Sequence, residues 1–193
     1  MSAGKFSAVL LVAGRSTRMG RDKALIESGG LPAWRRQRDL LARLGPAEIF
    51  LSARPEQAEW TTRAEGFTAT LYDTFSDCGP ISGVTAALER GASPFVVALA
   101  IDLPRMTAAW FEDLLARCTP GVGAVGRRGK FFEPLAAVYP REMMWLAWEA
   151  LAGGEYSLQR LVARAVREGL LRERKIDASE AAWFENRNEP ARV

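Results

Sequence analysis

The segment from Gly14 to Lys23 concentrates groups that could bind an anion at the end of an apolar run. Its two glycines allow backbone N–H groups to approach a ligand closely, and its other polar residues add hydroxyl and cationic donors. These donors are Arg15, Ser16, Thr17, Arg18, Arg21 and Lys23. The segment matches neither a Walker loop nor the G-x-G-x-x-G fingerprint. The buried strand leading into it favours a polyphosphate-binding loop over the alternative, a solvated basic turn.

Asp102 closes the apolar run that begins at Pro94, and it is the candidate metal ligand. A carboxylate at a strand end, followed closely by Pro104, is well placed to hold Mg²⁺ against phosphates, because Mg²⁺ prefers oxygen ligands and keeps several waters. Asp73 follows the segment "ATLY" and has a weaker case of the same kind. The alternative for both residues is an ordinary turn aspartate.

Histidine is absent from the 193 residues. Its absence excludes His-activated nucleophiles and imidazole metal sites, so any chemistry must use carboxylates, cations, hydroxyls, amides and backbone. Cys78 and Cys118 lie forty residues apart without a C-x-x-C pair. That spacing indicates neither a zinc site nor a disulfide framework, and we expect buried structural thiols.

Charge and hydropathy predict small-molecule rather than polymeric or membrane partners. The net charge is only +3 and no extended basic tract is present, so we expect no nucleic-acid partner. The apolar run near the N-terminus is too short to span a bilayer and lacks a signal-peptide cleavage pattern. We therefore expect no membrane partner and a cytoplasmic protein.

Apolar runs alternate with helical patterns along the chain, which predicts βαβ units in an α/β fold. Strands are expected at 8–12, 48–52, 69–72, 94–102, 122–126, 131–139 and 170–177, and helices at 32–44, 79–90, 107–118, 141–152 and 157–168, with 183–190 as the last structured stretch. We expect the hydroxyl of Thr107 to cap the helix at 107–118. We expect one domain spanning 1–193, with a mainly parallel sheet covered by helices on both faces. Ligands bind such sheets at the carboxyl ends of the strands, where the basic loop and both aspartates should meet.

Three segments in order, "AGRSTRMGRDKALI", "YDTFSDCGPISGV" and "AIDLP", resemble the Rossmann-like nucleotidyltransferases. Within these, the chain looks most like the molybdenum cofactor guanylyltransferases, whose signature is L-A-G-G-x-S-x-R-M-G-x-D-K. The later segments "FEPLAAVY", "GEYSLQRLV" and "FENRNEP" are also similar to that family. The resemblance therefore covers nearly the whole chain and implies a three-layer α/β/α fold.

The resemblance also implies an activity: Mg²⁺-dependent transfer of GMP from GTP to the terminal phosphate of molybdopterin, with release of pyrophosphate. Arg18, Lys23 and Asp102 would carry the catalysis, with Asp102 binding the Mg²⁺. The nucleotide would contact Leu11, Val12, Ala13, Gly14, Arg15, Ser16, Lys23, Asp73 and Asp102, and the acceptor would contact Asn186 and Asn188. Molybdoenzymes or their chaperones are the protein partners that this resemblance suggests.

Three residues depart from the family pattern. Ala13 replaces a glycine and is also typical of cytidylyltransferases, Ala53 replaces an asparagine that follows the second strand, and Glu189 replaces a threonine. Two alternatives therefore stay open beside the guanylyltransferase. One is a cytidylyltransferase acting on molybdopterin or on a polyol or sugar phosphate. The other is a nucleotide-binding partner of molybdoenzymes that has no transferase activity.

Overall fold

The computed structural model describes residues 6–14, 22–73 and 78–186. Within these ranges the strands are β1 (Phe6–Leu11), β2 (Glu27–Ser28), β3 (Leu31–Pro32), β4 (Glu48–Ala53), β5 (Ala69–Tyr72), β6 (Phe95–Ala100), β7 (Gly123–Arg128), β8 (Phe131–Phe132), β9 (Ala136–Pro140) and β10 (Leu171–Lys175). The α-helices are α1 (Ala33–Arg43), α2 (Ala58–Thr61), α3 (Pro80–Arg90), α4 (Ala108–Arg117), α5 (Met144–Ala152) and α6 (Leu158–Arg167). Short 3₁₀ helices cover Lys23–Leu25, Pro55–Gln57, Arg141–Met143 and Ala178–Phe184.

One mixed sheet organises these elements in the order β10-β7-β9-β6-β1-β4-β5, with β8 paired to β7. The pairings of β1 with β4 and β6, of β4 with β5, and of β7 with β10 are parallel. The strand β9 runs antiparallel to both β6 and β7. Because two antiparallel neighbours restore the original direction, β10, β7, β6, β1, β4 and β5 all end at the same edge of the sheet.

Helices cover both faces of the sheet, so that β1 is buried on both sides. Ala8 and Leu10 belong to a core shared with α1 and α4, whereas Val9 and Leu11 belong to a core shared with α3, α5 and α6. Every residue of β1 and β6 is buried, which explains the apolar sequence of β6 and of β1 apart from Ser7, whose hydroxyl donates to Glu48 Oε2 at 2.8 Å. The expected three-layer α/β/α fold with a mainly parallel sheet is confirmed.

Several local expectations are corrected by the structure. The strand expected at 131–139 is two strands, β8 and β9, because the chain leaves the sheet over Glu133–Leu135. Thr107 was expected to cap α4 with its hydroxyl, but it makes no such bond, and its Oγ1 is buried without a partner. The hairpin of β2 and β3 and the helical turns over Pro55–Thr61 were not predicted.

The two cysteines carry thiols, with Cys78 buried and Cys118 half-buried. Burial raises the pKa of Cys118 to about 11, which keeps its thiol protonated near neutrality. In the described ranges, no helix combines the length and apolar character needed to cross a bilayer.

Candidate active site

Hydrogen bonds beyond the strand ends fix the order of the candidate residues along the carboxyl edge of the sheet. The N–H of Ile101 donates to the Leu11 carbonyl at 3.1 Å, which places Asp102 next to the turn that follows β1. On the other side of that turn, the N–H of Asp73 donates to the Ala53 carbonyl at 3.0 Å. Asp102 and Asp73 therefore flank the turn after β1 from opposite sides.

The separation of the two aspartates follows from the strand order. Asp102 follows β6 and Asp73 follows β5, so three strand spacings separate them in the order β6-β1-β4-β5. At about 4.8 Å per spacing, this corresponds to about 14 Å. The two carboxylates are too far apart to share one metal ion, but an extended nucleotide could reach both.

The turn at residues 13 and 14 follows Val12, whose backbone N–H and carbonyl are both hydrogen-bonded within the fold. The Val12 N–H donates to the Ser52 carbonyl at 2.9 Å, and the Val12 carbonyl accepts from Gln57 Nε2 at 3.1 Å. Gly14 is exposed, and a Cβ built on it would meet no atom of the described residues within 4 Å. Packing among residues 6–14, 22–73 and 78–186 therefore gives no reason for glycine at this position, whereas approach of a ligand would be one.

Asp22 is the anchor of the segment that carries Lys23. Its Oδ1 accepts from the Ala24 N–H at 3.0 Å and caps the short 3₁₀ helix, while its Oδ2 accepts from Gln57 Nε2 at 2.7 Å and from Trp60 Nε1 at 2.9 Å. Three donors occupy most of the acceptor sites of this carboxylate, which indicates a role in positioning Lys23. Gln57 is nearly inaccessible, and its Oε1 is also used, accepting from the Arg54 N–H at 2.8 Å.

Asp73 lies half-buried beside the N-terminus of α3. Ser82 Oγ donates to Asp73 Oδ1 at 3.2 Å. Burial raises the pKa of Asp73 above its usual range, and the Ser82 hydrogen bond and the charge of Arg54 oppose this rise. Arg54 is the cation whose charge lowers the pKa of this carboxylate. Its Nε is buried and has no hydrogen-bond partner among the described residues. Asp73 can accept hydrogen bonds from a ligand at the β5 end of the edge.

Asp102 meets a residue from the far end of the described chain. Asn186 Nδ2 donates to Asp102 Oδ2 at 2.8 Å, and the neighbouring residues Arg105 and Glu185 form an ion pair at 2.7 Å. The structure thus brings together two of the residues expected at the site, 84 positions apart. In the described ranges Asp102 Oδ1 accepts no hydrogen bond, so one carboxylate oxygen faces no protein donor there.

A single carboxylate with an available oxygen fits the way Mg²⁺ is held beside phosphates, since this ion takes one or two protein carboxylates and completes its shell with phosphate oxygens and water. Across residues 6–14, 22–73 and 78–186, no group of three or more acidic, cysteine or histidine side chains could hold a metal alone. The described residues therefore fit a metal ion that binds together with a nucleotide better than one held by protein ligands alone.

Four predicted site residues, Arg15, Ser16, Arg18 and Asn188, lie outside the described residues. Ala53, which stands where an asparagine was expected, is fully buried in the core. Its methyl group packs within the protein, so its side chain offers no contact to a ligand.

Sequence reasoning missed Gln57, Trp60 and Arg54 as residues of this edge. Each acts on a site residue that is distant in sequence: Gln57 and Trp60 hold Asp22 from 35 and 38 positions away. A glutamine and a tryptophan carry no local signal of such a role. Only the strand end at Ala53 could have suggested that the residues after it belong to the site.

Comparison with known proteins gives the family. The model of the MobA-like NTP transferase domain matches residues 8–169. A protein of Opitutus terrae named "Probable molybdenum cofactor guanylyltransferase" is 36% identical over 192 residues, covering 98% of this chain and 93% of that protein. The molybdenum cofactor guanylyltransferase of Pseudomonas putida is 32% identical over 167 residues, covering 85% of each chain.

A solved structure supports the same fold. The crystal structure of molybdopterin-guanine dinucleotide biosynthesis protein A from Archaeoglobus fulgidus aligns with a TM-score of 0.75 at 22% identity, over 95% of this chain and 93% of that chain. The mainly parallel sheet, the structural match and the family match agree. The chain therefore belongs to the MobA-like NTP transferase family and is a nucleotidyltransferase.

Proposed function

We propose that the protein transfers GMP from GTP to the terminal phosphate of molybdopterin, releasing pyrophosphate. The observation that carries this proposal is the arrangement of the carboxyl edge: Asp102 and Asp73 flank the exposed Ala13–Gly14 turn in a chain of the MobA-like family. Relatives more than 30% identical over most of their length are named molybdenum cofactor guanylyltransferases. The whole chain, 1–193, would work as one domain.

The nucleotide would lie across the turn after β1. Leu11 and Val12 shape the floor of this turn, but the backbone groups of Val12 are engaged within the fold, so the direct contacts would come from Ala13 and Gly14. Lys23, which follows the hydrogen-bonded Asp22 in the chain, would neutralise phosphate charge. Asp73 would accept hydrogen bonds from the nucleoside, and Arg15, Ser16 and Arg18 would complete the phosphate contacts from the adjoining segment.

Asp102 would hold the Mg²⁺ through its available oxygen. When bound, this ion would polarise the α-phosphate and stabilise the negative charge of the leaving pyrophosphate. Asn186 would keep the carboxylate in one orientation by its hydrogen bond to Oδ2. Together with Asn188, it would also border the acceptor.

The reaction needs little acid–base chemistry from the protein. An oxygen of the acceptor phosphate forms a bond to the α-phosphorus of GTP as the bond from that phosphorus to the β-phosphate oxygen breaks. A phosphate monoester is largely ionised near neutrality, so no side chain has to remove a proton. Positioning and charge neutralisation by Lys23, Arg18 and Asp102 are then sufficient, which suits a chain without histidine.

Calorimetric titration with GTP, CTP, ATP and UTP, with and without Mg²⁺, tests the nucleotide part of this proposal. We expect GTP binding that requires Mg²⁺ and is lost in Asp102→Asn and Lys23→Ala, and we expect transfer to fall by at least about 100-fold in both variants. Asp39→Asn, at a partly exposed aspartate of α1 that pairs with Arg38, is the control. Preference for CTP would assign a cytidylyltransferase instead, and GTP binding without pyrophosphate release would favour a non-catalytic partner of molybdoenzymes.

Gly14→Ala separates folding from ligand approach. The added methyl group meets nothing within 4 Å in the part of the chain that the structure describes, and the residue has no left-handed backbone conformation, so we expect the melting temperature to stay unchanged. The affinity for GTP should fall, because the methyl group would occupy the space that the nucleotide needs. Unchanged affinity would place the nucleotide elsewhere.

A further inference from the structure

The last described segment crosses the carboxyl edge of the sheet to reach Asp102. It leaves the edge strand β10, forms the 3₁₀ helix Ala178–Phe184, and ends at Asn186 beside Asp102. Because β10 and β6 are three strand spacings apart, the segment spans about 14 Å over the ends of β7 and β9. Its path determines where Asn186 lies.

Asn186 is exposed, and its hydrogen bond to Asp102 lies at the surface. A single exposed hydrogen bond contributes too little to order a chain segment against its conformational entropy. Among the described residues, the contacts that can set the position of Asn186 are those made by the residues preceding it in the chain.

Arg174 supplies the first of these contacts. Its Nε donates to Asp113 Oδ2 at 2.8 Å, its Nη2 donates to Glu180 Oε1 at 2.6 Å, and its Nη1 contacts the other oxygen of Glu180. The guanidinium also lies 4.7 Å from the ring centroid of Trp110. Asp113 and Trp110 belong to α4, so Arg174 fastens the 3₁₀ helix to both α4 and the sheet. These pairs are well shielded, with 14% of the Arg174 side chain and 12% of the Glu180 side chain exposed.

Phe184 supplies the second contact. It is buried and meets Trp110 edge-on, with ring centroids 4.9 Å apart, while Trp110 Nε1 donates to the Ala136 carbonyl at 2.9 Å. Arg174, which is bonded to Glu180, and Phe184 thus connect the 3₁₀ helix to the same tryptophan, Trp110. Only one residue, Glu185, separates Phe184 from Asn186, which leaves little freedom for the amide.

We propose that Arg174 is a positioning residue for nucleotidyl transfer: through Glu180, Trp110 and Phe184 it holds Asn186 on Asp102. The proposal rests on the proposed role of Asp102 as the magnesium ligand. Residues that orient a metal ligand commonly change metal affinity or activity by 10–100-fold when they are removed. An effect of this kind is expected here although Arg174 touches neither substrate nor metal.

The experiment compares Arg174→Met and Arg174→Lys with Arg164→Met. Arg164 is the matched control, because it also bridges two carboxylates, Glu149 and Glu168, but lies on α6 at the helix surface. Arg174→Met should raise the Mg²⁺ concentration for half-maximal rate and lower kcat about tenfold, with little change in the KM for GTP. For Arg174→Lys, the Mg²⁺ concentration for half-maximal rate and kcat should lie between those of Arg174→Met and wild type. Arg164→Met should behave as wild type.

A double-variant test distinguishes positioning from general destabilisation. If Arg174 acts through Asn186, combining Arg174→Met with Asn186→Ala should be no worse for kcat than Asn186→Ala alone. Fully additive effects, or a lowered melting temperature with kinetic constants unchanged in the folded protein, would overturn the proposal.

Hydrogen–deuterium exchange provides a readout that does not depend on activity. In the metal-free protein, Arg174→Met should increase exchange over 178–186, whereas Arg164→Met should not. Unchanged exchange in Arg174→Met would overturn the proposal. If Arg174→Met exchanges faster over 178–186 than wild type but wild type transfers no nucleotide, the proposed function fails while the positioning of Asn186 stands.

Discussion

Gly83 allows α3 to approach the ends of β1 and β4 more closely than any other residue would. A Cβ at this position would lie 2.2 Å from Ser52 Oγ, 2.8 Å from Leu11 Cδ2 and 3.0 Å from Ser52 Cβ. All three residues are buried, so the neighbours have little space into which they can move. Gly83→Ala therefore forces α3 away from the sheet, in the part of the fold that places Ser82 beside Asp73.

The magnitude follows from two opposing effects. Overpacking of a buried site costs about 1–3 kcal/mol, and a contact as short as the one with Ser52 Oγ favours the upper end of this range. Alanine is about 1 kcal/mol better than glycine within a helix, which offsets part of the cost. We expect the free energy of unfolding to fall by about 2 kcal/mol, which for a chain of this size lowers the melting temperature by about 4–8 °C.

Chemical denaturation of Gly83→Ala, Ser52→Gly and the double variant measures this effect. Ser52→Gly removes two of the three atoms that the new methyl group would meet, so the double variant should be less destabilised than the sum of the single variants. Nucleotide binding should weaken in Gly83→Ala, because the 3.2 Å hydrogen bond from Ser82 to Asp73 would lengthen. If Gly83→Ala is as stable as wild type and shows no coupling to Ser52, the reasoning from close approach is wrong.

Two further predictions test the contacts that position the site. Asp22→Asn leaves one acceptor oxygen for the three donors that now bind Asp22, so the free energy of unfolding should fall by about 1–3 kcal/mol. The same change should lower kcat by displacing Lys23. A kcat and a stability equal to those of wild type would contradict this role. The hydrogen bond from Arg174 lowers the pKa of Glu180 below its ordinary 4.5. This stabilisation should be complete above pH about 4.5 and lost as the pH falls through the lowered pKa. The free energy of unfolding should therefore decrease less steeply with falling pH in Arg174→Met than in wild type. Equal slopes in the two proteins would refute this prediction.

The fold could be predicted from the sequence because its central strands are buried on both faces. Few other interpretations fit the apolar runs around β1 and β6. Both strands end at the same edge of the sheet, and polar residues follow each run there. Alternation with helices then indicates the layers. The short elements escaped prediction because β2, β3 and α2 have two to four residues each, too few to show a period.

The site could be predicted only in part, for a physical reason. Asp102 and Asp73 were found because strand ends mark the edge of the sheet. The contacts that orient the site join residues distant in sequence, as Asn186 joins Asp102 and Trp60 joins Asp22. Local patterns contain no information on such contacts. The failed cap at Thr107 has a similar cause, since the hydroxyl is buried by packing that the local sequence does not reveal.

The most direct measurement is nucleotidyl transfer itself. GTP labelled at the α-phosphate is incubated with molybdopterin and the purified protein, with and without Mg²⁺, and label in the dinucleotide product is counted together with released pyrophosphate. We predict Mg²⁺-dependent formation of one labelled dinucleotide per pyrophosphate for wild type, and none for Asp102→Asn. Equal transfer by Asp102→Asn, or transfer from CTP in preference to GTP, would contradict the proposed guanylyl transfer at Asp102.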